Sequence, residues 1–167
     1  AREFPEGETI AWVPDGSLIW EATIPWPTRH AVAEACRPQP SAYAESVLAV
    51  ALLAERRDPN SRFKRYVAAL AQLSLPQIQN VATFSRDHLA VLNATRPDAV
   101  EAFHSAVRCV EASVERVPAL HEAPPTRGEQ LWAHAVVRSR ALPLRGRLAL
   151  APVIDLANDA PFHTGGP

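Results

Sequence analysis

The polar residues best placed for chemistry stand in the last third of the chain: Arg140, then Asp155, Asn158 and Asp159. The last three follow directly on Leu148–Ile154, a short apolar run of the kind that forms a buried strand. Polar groups at the end of a buried strand suit ligand contact, because the strand fixes them while the loop beyond keeps them accessible. Taken singly, each also has a plainer use. Arg140 closes a helix and can answer that helix's dipole. Asp155 and Asn158 can form side-chain turns within a loop. A metal site built from Asp155, Asp159 and His163 would lack the tight ligand spacing that such sites have. His30, His88, His104 and His121 are scattered without a nucleophile–base pattern, and His134, in mid-helix, reads as packing. Cys36 and Cys109 show no metal or redox spacing and read as free buried thiols.

The helix before Arg140 opens at Thr126, which forms a capping box with Glu129, and it carries Leu131, Trp132, Ala135 and Val136 on one face. It ends near Arg140, because Pro143 has no N–H to donate and biases Leu142 away from helical angles. Upstream, Val100, Phe103, Val107, Val110, Val114 and Val117 recur every three or four residues between Pro97 and Pro118. This is the clearest periodic helix, and its stripe reads as core. Ser85 predicts an N-cap for a helix over 86–92, with Asp87 at its positive end. Tyr43–Glu55, apolar nearly all round, predicts a buried helix. Arg62–Leu75 predicts a shorter one with Phe63, Tyr66, Val67 and Leu70 on one face. Residues 24–42, broken by Pro25, Pro27, Pro38 and Pro40, predict an irregular crossing segment, and 118–127 a loop. Nearer the start, Thr9–Val13 and Leu18–Trp20 read as a strand pair about a turn at Pro14–Gly16.

With 167 residues, 47% of them hydrophobic, the chain can bury one real core. A formal net charge of −1 argues against a surface devoted to nucleic acid or anionic membrane. No apolar run reaches the roughly 18 residues that span a bilayer. The chain has no methionine and no hydrophobic signal core at its start, so the expectation is a natural start further upstream.

The run Leu131–Leu142 followed by Leu148–His163 resembles the second half of the SET domain in the Rubisco large-subunit methyltransferase group. That group carries a helix of the form W-A-x-x-x-x-x-S-R-A-F, then a strand ending L-x-P-x-x-D-x-x-N-H. The matching residues are Trp132, Ala133, Ser139, Arg140 and Ala141, then Leu150, Pro152, Asp155 and Asn158. Asp159 stands where the group has His. The likeness extends upstream through Phe63 and Tyr66, then Phe84, Ser85, Leu89, Leu92, Ala94 and Thr95. At the N-terminal end Ala1, Arg2, Pro5, Gly7, Glu8, Val13 and Pro14 fit the segment after the group's first SET strand.

The resemblance implies an α+β fold, a partial SET domain over 1–167. N-terminal SET strands would occupy 1–24, a mainly α-helical insertion 41–142, and the SET strand with its cofactor loop 147–163. It also implies an S-adenosylmethionine-dependent protein lysine N-methyltransferase, with a histidine ring nitrogen the less common acceptor. Arg140 would face the methionine carboxylate, Asn158 and the backbone of Asp159 the adenine, and Asp155 would line the cofactor or substrate pocket. No catalytic residue carries over, since Tyr43 and Tyr66 match neither catalytic position. The group's Gly-x-Gly loop would precede this stretch and its tyrosine-bearing strand would follow, so the chain is expected to be an internal fragment with little activity alone. The alternative is a non-catalytic SET-derived interaction module, or a truncated product without activity, and Asp159 in place of His favours it. The expected partner is a protein substrate, with neither nucleic acid nor membrane. The acceptor protein stays open, as does the compartment, whether plastid or cytoplasm and nucleus.

Overall fold

A computed structural model describes residues 13–73, 78, 81, 84–152 and 154. Among these, six helices run in order: α1 (Trp26–Ala35), α2 (Tyr43–Arg57), α3 (Lys64–Leu70), α4 (Arg86–Thr95), α5 (Pro97–Val114) and α6 (Arg127–Arg140). Three short strands, β1 (Ile19–Trp20), β2 (Leu142–Leu144) and β3 (Arg147–Leu150), form one antiparallel sheet in the order β1-β3-β2. The class is α+β, with strands from both ends of the described chain and helices between them.

α2 is the centre because its sequence leaves no polar face in its middle: every residue from Ser46 to Leu53 is buried. It packs against α1, α3, α5 and α6 and against β3 of the sheet. Ser46, the polar member of that run, is satisfied by donating to the Ala106 carbonyl on α5 at 3.3 Å. The α5 stripe faces inward as its period predicts, with Val100, Phe103, Val107, Val110 and Val114 buried and Val117 just beyond the helix. Phe63, Tyr66, Val67 and Leu70 are buried at α3. α4 begins at Ser85, whose hydroxyl accepts from the His88 amide at 3.2 Å, and it lies on the outside of α5 with no fully buried residue.

The structure corrects three expectations and bears on part of a fourth. Residues 24–42 are not an irregular crossing: they contain α1. Pro27 lies in its first turn, where no intrahelical donor is needed, so proline starts this helix rather than breaking it. The strand expected over Leu148–Ile154 ends at Leu150. Pro152 has no N–H to donate to a ladder, β1 offers no partner beyond Ile19, and Ile154 is 38% exposed. At the N-terminal end the strand expected at Leu18–Trp20 is present as β1, and it pairs with β3, Ile19 opposite Leu150 and Trp20 opposite Ala149. A 3-10 turn over Asp15–Ser17 precedes it, and the expected partner Thr9–Val13 lies outside the described residues except for Val13. Finally, Cys36 and Cys109 are not free thiols. They are joined in a disulfide across 73 residues of sequence, with Cα atoms 5.1 Å apart, tying the end of α1 to the middle of α5. Spacing could not reveal this pair, because only the packing of α1 on α5 brings the two sulfurs together.

Candidate functional site

Arg140 is the last residue of α6, half-buried, and the chain passes from it through Ala141 into β2. In the antiparallel register Leu142 stands opposite Ala149 and Leu144 opposite Arg147. The segment entering β2 and the segment leaving β3 therefore lie at the same end of the sheet. Arg140 sits two residues before Leu142, and Ala151 two residues after Ala149. Asp155, Asn158, Asp159 and His163 lie outside the described residues. Of the expected site residues the structure thus places Arg140, at the end of the sheet from which the chain runs on towards the other three.

The helix carrying Arg140 is held at both ends. At its start the Glu129 amide donates to Thr126 Oγ1 at 3.3 Å, and Glu129 Oε2 accepts from the Thr126 amide at 2.8 Å. Arg57 from α2 reaches the same carboxylate at 3.2 Å. Partial burial pushes the Glu129 carboxyl up, but the Thr126 N–H and hydroxyl and the Arg57 charge outweigh it and hold it below its ordinary value. One turn further on, Trp132 is buried and its Nε1–H donates to the Leu73 carbonyl at 3.2 Å, while the Arg56 guanidinium lies over its ring at 4.9 Å. Ser139, a member of the matched S-R-A run, turns its hydroxyl to the Val136 carbonyl at 3.1 Å. Its hydroxyl serves the last turn of the helix.

Two polar clusters were not foreseen. His134 is wholly enclosed between α2, α5 and α6. The Phe103 ring stands edge-on to it at 5.4 Å, and Nε2 comes within 3.3 Å of Glu45 Oε2 without the alignment of a linear hydrogen bond. Nδ1 has no hydrogen-bond partner among the described residues. Arg138, one turn along the same face, meets both Glu45 oxygens at 3.0 Å. Burial raises the Glu45 carboxyl, but His134 and Arg138 together outweigh it, so the group stays below its ordinary value and ionised at neutral pH. The signal available beforehand was an acid set in an otherwise apolar run, together with a His–Arg pair at i, i+4.

In the second cluster, Tyr43 donates to Glu21 Oε1 at 3.4 Å and Arg147 reaches Glu21 Oε2 at 3.2 Å. Burial first, then the Glu21 charge, pushes the Tyr43 hydroxyl above its ordinary value. It stays protonated and is no base at neutral pH. No group of three or more His, Cys, Asp or Glu side chains among the described residues could hold a metal ion. No helix among them is long and apolar enough to cross a membrane. Comparison with known proteins returns no matching family model, no curated relative and no matching solved structure.

Proposed function

We propose that this chain forms part of an S-adenosylmethionine-dependent protein N-methyltransferase of the SET type, like the Rubisco large-subunit methyltransferase group. Its acceptor is a lysine amine, with a histidine ring nitrogen as the less common choice. The observation that carries this reading is the register at the sheet: β2 and β3 bring Arg140 to the end where the chain leaves towards Asp155, Asn158 and Asp159. The resemblance assigns the cofactor to those four residues. A half-buried guanidinium at the mouth of that segment fits the cofactor's carboxylate, which a planar fork of donors grips better than a point charge does. The helical block between β1 and β2 also accords with an insertion within a SET fold.

S-adenosylmethionine brings a methyl group already activated by its sulfonium, so the protein's task is alignment. Arg140 would bind the carboxylate, Asn158 and the Asp159 backbone would hold the adenine, and Asp155 would line the pocket. A second reading, a non-catalytic SET-derived interaction module, is favoured by Asp159 standing where the group has His.

The test is titration calorimetry on the protein. Removing one charged partner of a cofactor carboxylate costs about 1.5–3 kcal/mol, roughly ten- to a hundredfold in affinity. Arg140→Ala should weaken S-adenosylmethionine by that factor and leave the melting temperature of the unliganded protein nearly unchanged. Unaltered affinity with a large loss of stability would make Arg140 a structural helix-end residue and remove this support. Absence of any measurable binding by the unaltered protein would leave the module reading.

A further inference from the structure

We infer that the cavity between α3 and the turn before β1 is a binding site for a small aromatic phosphate. The cavity encloses about 410 Å³, within the roughly 300–1,000 Å³ of small-molecule sites. Its walls are rings and small apolar groups: Phe63, Tyr66, Ala69 and Pro152, closed on one side by Gly16 and Ser17. Arg62 and Arg65 also line it.

The local sequence explains the shape. Arg65 and Ala69 are four residues apart on α3 and share a face, and alanine at the second position leaves a hollow below the arginine stem. Phe63 and Tyr66 turn into the core and offer ring surface at its border. Arg62 is set over the Phe63 ring, with its guanidinium carbon 4.7 Å from the centroid, a contact that orients the fork without neutralising it.

Charge decides the ligand class. Among the described residues Arg62 and Arg65 form no salt bridge, and none of the described residues that line the cavity is acidic. Two arginines lining one cavity, neither paired with an acid among the described residues, suit a dianion more than a single carboxylate, since phosphate can accept from two forks at once. The flat apolar walls suit a ring attached to it. This assignment uses none of Arg140, Asp155, Asn158 and Asp159, so it stands or falls apart from the methyltransferase reading.

The probe is phenyl phosphate, followed by amide shifts in two-dimensional NMR of the unaltered chain, with inorganic phosphate and phenol as its two halves. Saturable shifts are expected at Gly16, Ser17, Arg65 and Ala69. Each half should bind at least about tenfold more weakly than the whole, and added salt should weaken phenyl phosphate. The double variant Arg62→Gln, Arg65→Gln should lose at least about tenfold in affinity while its remaining spectrum is preserved, both side chains being exposed. No saturable shift at those amides would overturn the inference, as would phenol binding as tightly as phenyl phosphate. So would a double variant that binds like the parent. If the double variant does not fold, the salt dependence in the unaltered protein decides, and affinity indifferent to salt overturns the proposal.

Discussion

Glu45 is the residue where burial and pairing are most finely opposed. Its carboxyl lies on the central helix, mostly covered, and burial alone would favour the neutral acid. His134 beside it and the two contacts from Arg138 reverse that preference and keep the folded-state value below the unfolded one. The consequence for stability has a definite sign. A group depressed on folding binds fewer protons in the native state, so its stabilisation is present above the ordinary carboxylate value of about 4.3 and fades as pH falls through the folded value. At neutral pH Glu45→Gln should therefore cost about 1–3 kcal/mol, the range for a hydrogen bond to a charged group that is partly screened by solvent. Urea unfolding of parent and variant from pH 7 down to pH 3 checks this. The gap between them should be widest at neutral pH and close in acid; a gap unchanged at pH 3 would mean that shape, and not charge, carries the effect. Phe103, the other neighbour of the His134 ring, is uncharged and leaves this sign unaltered.

Among the elements, α6 carries the candidate site and owes its start to one reciprocal pair. Thr126 and Glu129 satisfy each other's amides at the helix entrance, and Arg57 ties that entrance to α2. Losing a threonine cap costs about 0.5–2 kcal/mol, so Thr126→Ala should lower the melting temperature by a few degrees. Circular dichroism melts of the variant measure it directly, and Thr126→Ser, which keeps the hydroxyl, should recover most of the loss. This cap was legible in the sequence because it is local: two residue types at a fixed spacing before an apolar period. The same holds for Ser85 at α4 and for the valine stripe of α5. Elements whose definition lies elsewhere in the chain were less legible. β1 was readable as a strand at Leu18–Trp20, but its pairing with β3, about 130 residues on, was not. β3 stops where its partner stops, which no property of Leu148–Ile154 announces. Arg140 could be picked out by its place before Pro143, but the Glu45–His134–Arg138 contact joins residues about ninety apart and needed the α2–α6 packing to appear.

At the scale of the whole molecule, two long-range closures frame the helical block. The sheet joins β1 to β3, bringing the two ends of the described chain together, and the disulfide joins α1 to α5 beside the central α2. Both sulfurs are nearly enclosed, Cys36 2% and Cys109 4% exposed, so the bond belongs to the core it crosses. Its thermodynamic effect falls chiefly on the unfolded chain, which loses the freedom of a long loop, since the bonded positions are 73 residues apart. Such bonds typically contribute about 2–4 kcal/mol. At roughly 2–4 °C per kcal/mol for a chain of this size, the double variant Cys36→Ala, Cys109→Ala should melt about 5–15 °C lower. Mass spectrometry of the unaltered protein, denatured without reductant and treated with a thiol-alkylating reagent, should find neither cysteine labelled. Dithiothreitol should act slowly on the native protein and quickly in urea, because a reductant reaches enclosed sulfurs only when α1 lifts from α5. Rapid reduction under native conditions would mean that α1 opens freely and that the bond is not held within the core. Melting of the double variant at the parent's temperature would remove the disulfide from the account of what holds the helical block together.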